Sequence, residues 1–176
     1  MAIPYLACMA LVAQVYALPP RVLPSIQAVE GGAVGSVHLN RDGSEDYGVM
    51  QINSRWVHAL GRVARMPDAA VQQRLVGDAC FNIAAAGLIM RSYLNEAGGD
   101  LLRAVGYYHS HTQSLGEPYR LRVVNAAARL FAQANARAVP ANARARMQPA
   151  GYRVTLPAGI AHRPGMVRSV SGLSRH

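Results

Sequence analysis

Lysine is missing from this 176-residue chain, and several other residue types are scarce. There is one tryptophan, there are two phenylalanines, and the only cysteines are Cys8 and Cys80. No CxxC and no Cys/His ligand spacing is present, so a structural zinc site is not expected. The two cysteines are either buried thiols or one long-loop disulfide in an oxidising compartment. Acids are missing from residue 134 onward, where seven arginines fall; residues 1–133 hold eleven arginines and nine acids. The formal charge of +9 is therefore a property of the C-terminal segment. That segment lacks aromatic interleaving or a binding motif, so no nucleic-acid partner is expected. Charge is also missing from residues 1–20, which are interrupted by Pro4, Gln14, Pro19 and Pro20. Three readings of that stretch compete: a secretory signal without a basic start, a lipoprotein signal ending at Cys8, and the first helix of the domain. No stable membrane span is expected.

Other absences narrow the chemistry. No serine stands in a Gly-x-Ser-x-Gly turn, so an activated serine nucleophile is not expected. An EF-hand placed on Gly43 would have His38 first and Val49 last, where an acid is required. His109 and His111 make half a metal site with no third ligand.

What is present is mostly helical periodicity. Ile3–Tyr16, Arg21–Glu30, Asp78–Glu96 and Leu101–His109 read as helices, and a last helix opens at Pro118. Tyr119, Val123, Ala127, Leu130 and Ala134 share one face of that last helix. Gly31-Gly32 stop the second helix, because glycine accepts the left-handed conformation after a helix end. Asp68 and Asp78 are candidate caps. Residues 33–54 carry turn chemistry with short extended pieces, a hairpin or an irregular loop. The length fits one domain over residues 1–134 and an Arg-rich tail over 135–176, whose composition predicts disorder.

Among the carboxylates Glu30 stands apart. It follows the apolar run Ile26-Gln27-Ala28-Val29 at a helix C-terminus. Both the helix dipole and apolar neighbours disfavour its ionised form, which suits a general acid; position alone leaves an ordinary exposed Glu near a C-cap equally open. Residues 42–56, DGSEDYGVMQINSRW, begin as a polar turn and become half apolar. Gln51 and Asn53 there are amides able to donate and accept at once.

Glu30 together with DGSEDYGVMQINSRW resembles the lysozyme-like fold of peptidoglycan-cleaving enzymes. The run resembles the hairpin segment of animal c-type lysozymes, which lines the cleft opposite a catalytic Glu. GVMQIN resembles the Gly-x-Met-Gln motif of soluble lytic transglycosylases, and ACFNIAAAGLIMRSYL resembles their next helix. LLRAVGYYHS resembles their Ala-x-x-x-Tyr motif, and SLGEPYRLRVV their final Tyr-containing helix. CMALVAQVYALPPRVLPSIQAVEGG is similar to the opening of the invasion-associated subfamily that serves secretion and conjugation machines. The resemblance covers roughly residues 5–133, with the motifs in family order.

That resemblance implies a mainly α, lysozyme-like α+β fold with a small hairpin or loop region bordering a glycan cleft. It implies a lytic transglycosylase with Glu30 catalytic, acting on glycan strands as an exported, periplasmic monomer without cofactor or metal. Components of a type IV secretion or conjugation apparatus are the implied protein partners. It further implies substrate contacts from Asp46, Tyr47, Met50, Gln51, Tyr108 and Tyr119, and pairing of Cys8 with Cys80. It also favours the first-helix reading of the N-terminus. Tyr47 and Met50 are expected to face sugars, Trp56 to lie in the core, and Gly48 to pass close to a sugar or to Glu30. Two positions depart from the family: Gly31 replaces the Ser that usually follows the Glu, and Tyr108-His109 replaces Tyr-Asn. Asp46 falls where c-type lysozymes have a second carboxylate, so a hydrolase is the alternative reaction. A catalytically inactive glycan-binding or scaffold component is the alternative of another class.

Overall fold

The computed structural model describes residues 3–138, and the expected tail from residue 139 onward lies outside the described residues. The chain is mainly α-helical with a small three-stranded antiparallel sheet. Helix α1 spans Leu6–Val15 and α2 spans Val22–Glu30. The strands follow: β1 Val37–Leu39, β2 Glu45–Tyr47 and β3 Ile52–Asn53. After a 3-10 turn at Ser54–Trp56 come α3 Val57–Ala64, α4 Asp68–Gly77, α5 Ala79–Glu96, α6 Leu101–His109 and α7 Gln113–Ala138.

Helix α5 is the centre of the domain, because small residues let other helices approach it. A Cβ added at Gly87 would lie 2.3 Å from Val12 Cγ1 and 2.8 Å from Tyr16 Cδ2. Glycine is therefore what allows α1 to lie against α5. The Cys8–Cys80 disulfide joins the same two helices. Arg91 of α5 adds to this by donating through Nε to the Tyr16 carbonyl at 2.6 Å and through Nη2 to the Ala17 carbonyl. The uncharged N-terminal stretch thus packs as a first helix, with Met9, Val12 and Ala13 buried. Among the described residues no single helix is long and apolar enough to cross a membrane.

The disulfide closes a loop of 72 residues. Cross-linking a chain over that distance removes much of the freedom of its unfolded state. We expect Cys8→Ser with Cys80→Ser to lower unfolding free energy by about 3 kcal/mol. Urea melts of the oxidised protein and the double variant check this. Coincident midpoints would mean that α1 adds little to the cooperative unit.

Helix ends follow the sequence closely. Gly31 adopts φ 64° after Glu30 and closes α2. Asp78 caps α5 by accepting from the Phe81 amide at 3.0 Å. Asp68 is not a cap: Pro67 precedes α4 and Asp68 is its first helical residue, where a negative charge favours the helix dipole.

The sheet and the last helix depart from expectation. The residue 33–54 segment folds into three strands rather than one hairpin, with Val37 opposite Tyr47 and Asp46 opposite Asn53. Helix α7 begins at Gln113, and Pro118 lies inside it. Proline removes a single intrahelical donor so close to the helix start. The contact of Gly116 with α6 holds the extra turn: a Cβ there would come within 2.7 Å of the Ser110 carbonyl. Helix α7 is described as far as Ala138, the last described residue.

Candidate active site

The site begins with the end of α2. Glycine at 31 turns the chain, and glycine at 32 lets the β2–β3 turn come against it. A Cβ on Gly32 would sit 2.1 Å from the Gly48 carbonyl oxygen and 2.9 Å from Gln51 Nε2. Glu30 is thereby held at the wall of a cleft of about 590 Å³. The sheet lies on one side of that cleft and the C-terminal half of α6 on the other.

The carboxyl of Glu30 is half-buried and accepts a hydrogen bond from the Tyr119 hydroxyl at 2.5 Å. Burial raises its pKa from 4.5 to about 7. The Tyr119 hydrogen bond opposes that rise, the nearby Asp46 charge adds to it, and Arg122 opposes it. Loss of hydration outweighs the bond to Tyr119, so the carboxyl holds its proton far closer to neutral pH than an exposed Glu does.

Tyr119 is 1% exposed and is fixed by its neighbours. The His109 ring stacks on it at 4.9 Å, Tyr108 lies parallel at 6.5 Å, and the Arg122 guanidinium sits 5.4 Å from its centroid. Burial holds the His109 imidazole below the usual histidine range, with Arg122 acting in the same direction. Tyr108 ties α6 to the sheet by donating to the Met50 carbonyl at 3.1 Å. Burial pushes the Tyr108 phenol well above its ordinary pKa, so it remains a donor.

Across the cleft stands Asp46. Its Oδ1 accepts from Asn53 Nδ2 at 2.8 Å and its Oδ2 from Asn40 Nδ2 at 2.9 Å. Both amides also donate to Ser44 Oγ, and Ser44 in turn donates to Asp42. A carboxylate held on both oxygens keeps its orientation without help from a substrate. Asn53 is thus spent within the sheet, since its Oδ1 also accepts from the Arg55 amide.

Gln51 lines the cleft with φ 49°, an uncommon value for a residue with a side chain. Its amide donates to the Gly48 carbonyl at 2.7 Å and to Ser36 Oγ at 3.2 Å. The side-chain oxygen is the part left to accept from a ligand, so the expected double role reduces to acceptance.

Three expectations, on Tyr47, Met50 and Trp56, are corrected. Tyr47 is 2% exposed and Met50 0% exposed, and neither reaches the cleft surface. The Tyr47 hydroxyl donates to Glu45 Oε2 at 2.6 Å and accepts from Gln72 Nε2 at 3.0 Å, so both of its ends are occupied. Alternation along β2 turns Asp46 to the cleft and Tyr47 to the core. Gly48 brings its carbonyl against Gly32, two residues beyond Glu30, and also packs closely on its other side. A Cβ on it would meet the Leu75 carbonyl at 2.3 Å and Asn82 Nδ2 at 2.5 Å, so it serves packing on α4 and α5. Trp56, expected in the core, is half-buried and lines the cleft, edge-on to Tyr93 at 5.8 Å.

The two histidines of the HSH run diverge. His109 stacks on Tyr119, whereas His111 stacks on Tyr107 at 4.3 Å and pairs with Glu96 at 2.9 Å. Cleft residues therefore come together as expected at Glu30, Asp46, Gln51 and Tyr108, with Tyr119 beneath Glu30.

No family model matches the chain, and no curated protein does. The site has to be judged on its own geometry.

Sequence reasoning missed Asn82, which is 0% exposed on α5. Its Oδ1 accepts from the Met50 amide at 2.8 Å, and its Nδ2 donates to the Tyr47 and Leu75 carbonyls at 2.7 and 2.8 Å. One side chain thus satisfies three backbone groups and bolts the β2–β3 turn to the central helix. The available signal was a lone amide in the apolar run ACFNIAAAG, where a buried polar group needs partners. Tyr93 and Tyr107 were also missed; with Trp56 and His111 they form one connected aromatic wall of the cleft.

Proposed function

We propose that this protein is a peptidoglycan lytic transglycosylase with a lysozyme-like fold, and that Glu30 is its acid and base. The observation that carries this reading is a half-buried carboxyl in an open cleft, still partly protonated at neutral pH and hydrogen-bonded to Tyr119. Such a group can deliver a proton and take one back within a single turnover.

The reaction runs in two steps. Protonated Glu30 gives its proton to the oxygen between N-acetylmuramic acid and N-acetylglucosamine, and the bond from C1 to that oxygen breaks. The Glu30 carboxylate then takes the proton of the muramyl 6-hydroxyl while O6 bonds to C1, closing a 1,6-anhydro ring. Glu30 ends protonated and no water is consumed. The 6-hydroxyl belongs to the reacting sugar, so its effective concentration is high and water competes poorly. Tyr119 steadies the carboxylate between the steps. Asp46, fixed by Asn40 and Asn53, places negative charge where the sugar becomes positive.

A hydrolase is the second reading, favoured by the presence of Asp46 in the same cleft. Paired carboxylates flanking a glycosidic bond are what retaining and inverting glycosidases use. Mass spectrometry of muropeptides released from purified sacculi separates the two, because hydrolysis adds one water per cut. We expect anhydro-muramyl ends as the dominant product, with Asp46→Asn losing less turnover than Glu30→Gln. Reducing muramic acid ends, with both variants equally crippled, would make the protein a hydrolase. Binding to sacculi without any release would leave a glycan-binding component. The disulfide supports an exported location in an oxidising compartment; service to a secretion or conjugation apparatus rests on the family resemblance of the N-terminal segment alone.

A further inference from the structure

A second cavity, of about 330 Å³, lies between α6 and the start of α7 and shares Tyr107, Ser110 and His111 with the cleft. Its size is at the lower end of small-ligand sites, which run from about 300 to 1,000 Å³. Three charged side chains converge on it: Arg103, Glu117 and Arg120. Arg120 and Glu117 pair with each other at 2.5 Å. Arg103 forms no salt bridge among the described residues, and its guanidinium lies 5.8 Å from the Tyr107 ring centroid, at the junction of the two cavities. Gln113 and Ser110 add uncharged hydrogen-bonding groups.

We infer that this cavity is a subsite for the peptide stem that branches from the glycan, with Arg103 holding a stem carboxylate. The inference rests on the proposed activity on peptidoglycan. A sugar strand offers hydroxyls and acetamides along its length and has little use for a pocket of this charge. The stem leaves the muramic acid sideways, carries backbone amides and free carboxylates, and bears an amine where it contains a diamino acid. Guanidinium groups match carboxylates with two parallel hydrogen bonds. Glu117 suits the amine, and Gln113 and Ser110 suit the amides. The shared wall at Tyr107, Ser110 and His111 lets one ligand occupy both cavities, with sugars in the cleft and stem beside it. Cleavage would then favour strands that still carry their peptides.

Binding of defined strands to the full-length Glu30→Gln variant tests this without turnover. The probes are short glycan strands carrying tripeptide stems and the same strands after an amidase has removed the stems. We expect the stem-bearing strands to bind about five- to tenfold tighter, the contribution of one or two charge-assisted hydrogen bonds in a partly exposed site. Adding Arg103→Ala should bring their Kd to that of trimmed strands and leave the trimmed strands unchanged. Arg103→Lys should recover part of the difference, and amidating the stem carboxylates should remove it. Equal Kd values for the two strand types would overturn the subsite, as would an Arg103→Ala loss shared equally by both. Failure of the unsubstituted protein to release anhydro products would sink the transglycosylase reading while leaving this affinity difference as its own result.

Discussion

Replacing Glu30 by Gln should lower muropeptide release by on the order of 10²-fold or more, while the fold is kept. The amide fills nearly the same space and can still accept from Tyr119, but it has no proton to give a leaving oxygen. The pH behaviour gives a second, independent mark. Unsubstituted protein should lose activity as pH rises through about 7, where Glu30 gives up the proton the first step needs. The same group also links stability to pH, and the sign follows from the direction of its shift. Burial raises the folded pKa above the ordinary 4.5, so the folded state binds the proton more tightly than the unfolded chain does. The stability gained from that proton is complete below about pH 4.5 and is lost as pH rises through about 7. A gap of that size corresponds to about 3 kcal/mol at about 1.36 kcal/mol for each pH unit. Glu30→Gln has no such group, so above pH 7 it should melt higher than the unsubstituted protein even though it is inactive. A variant that digests sacculi at the original rate would end the assignment of Glu30. Denaturation at pH 5 and pH 8 checks the linkage, and equal pH slopes for the two proteins would show that its carboxyl is not perturbed.

Asn82→Leu should be the most damaging single change away from the cleft floor. Leucine is close in size, so the loss is one of polar partners rather than of volume. The Met50 amide and the Tyr47 and Leu75 carbonyls would each lose their bond to this side chain inside the core. Leaving a buried polar group unpaired costs about 1–3 kcal/mol, so three together should cost about 4–5 kcal/mol after some relaxation. The effect should reach the site as well. Gly48 packs with its Cα against the Asn82 amide, and the turn it belongs to carries Gln51 and the Met50 carbonyl that Tyr108 binds. Urea denaturation gives the first quantity, and hydrogen exchange of the Met50 amide gives the second. A variant within 1 kcal/mol of the original, on the scale of an ordinary surface change, would show that the turn is held by its neighbours instead.

The sequence by itself determined the helices and singled out Glu30 as a carboxyl whose charge is disfavoured. Apolar spacing and end signals are local, so α2, α5 and α6 lie where periodicity put them, and Gly31 closes α2 because its left-handed turn needs no distant partner. Glu30 was legible for the same reason: a carboxylate after an apolar run at a helix end is disfavoured when charged, wherever the rest of the chain goes. Pairing of Cys8 with Cys80 was legible only through family resemblance, since spacing alone left two free thiols equally open. Tertiary structure alone decided which members of DGSEDYGVMQINSRW face the cleft. The phase of β2 against α5 turns Asp46 outward and Tyr47 inward, and that phase is fixed by Asn82, thirty-five positions further on in the chain. Trp56 was placed in the core by its hydrophobicity, yet it is only partly buried and lines the cleft, where it packs edge-on against Tyr93 of α5. The start of α7 was hidden for a similar reason. Proline at 118 reads locally as a beginning, and only the closeness of Gly116 to α6 supports the helical turn before it. Contacts between residues remote in sequence decide such choices, and no local pattern of side chains carries them.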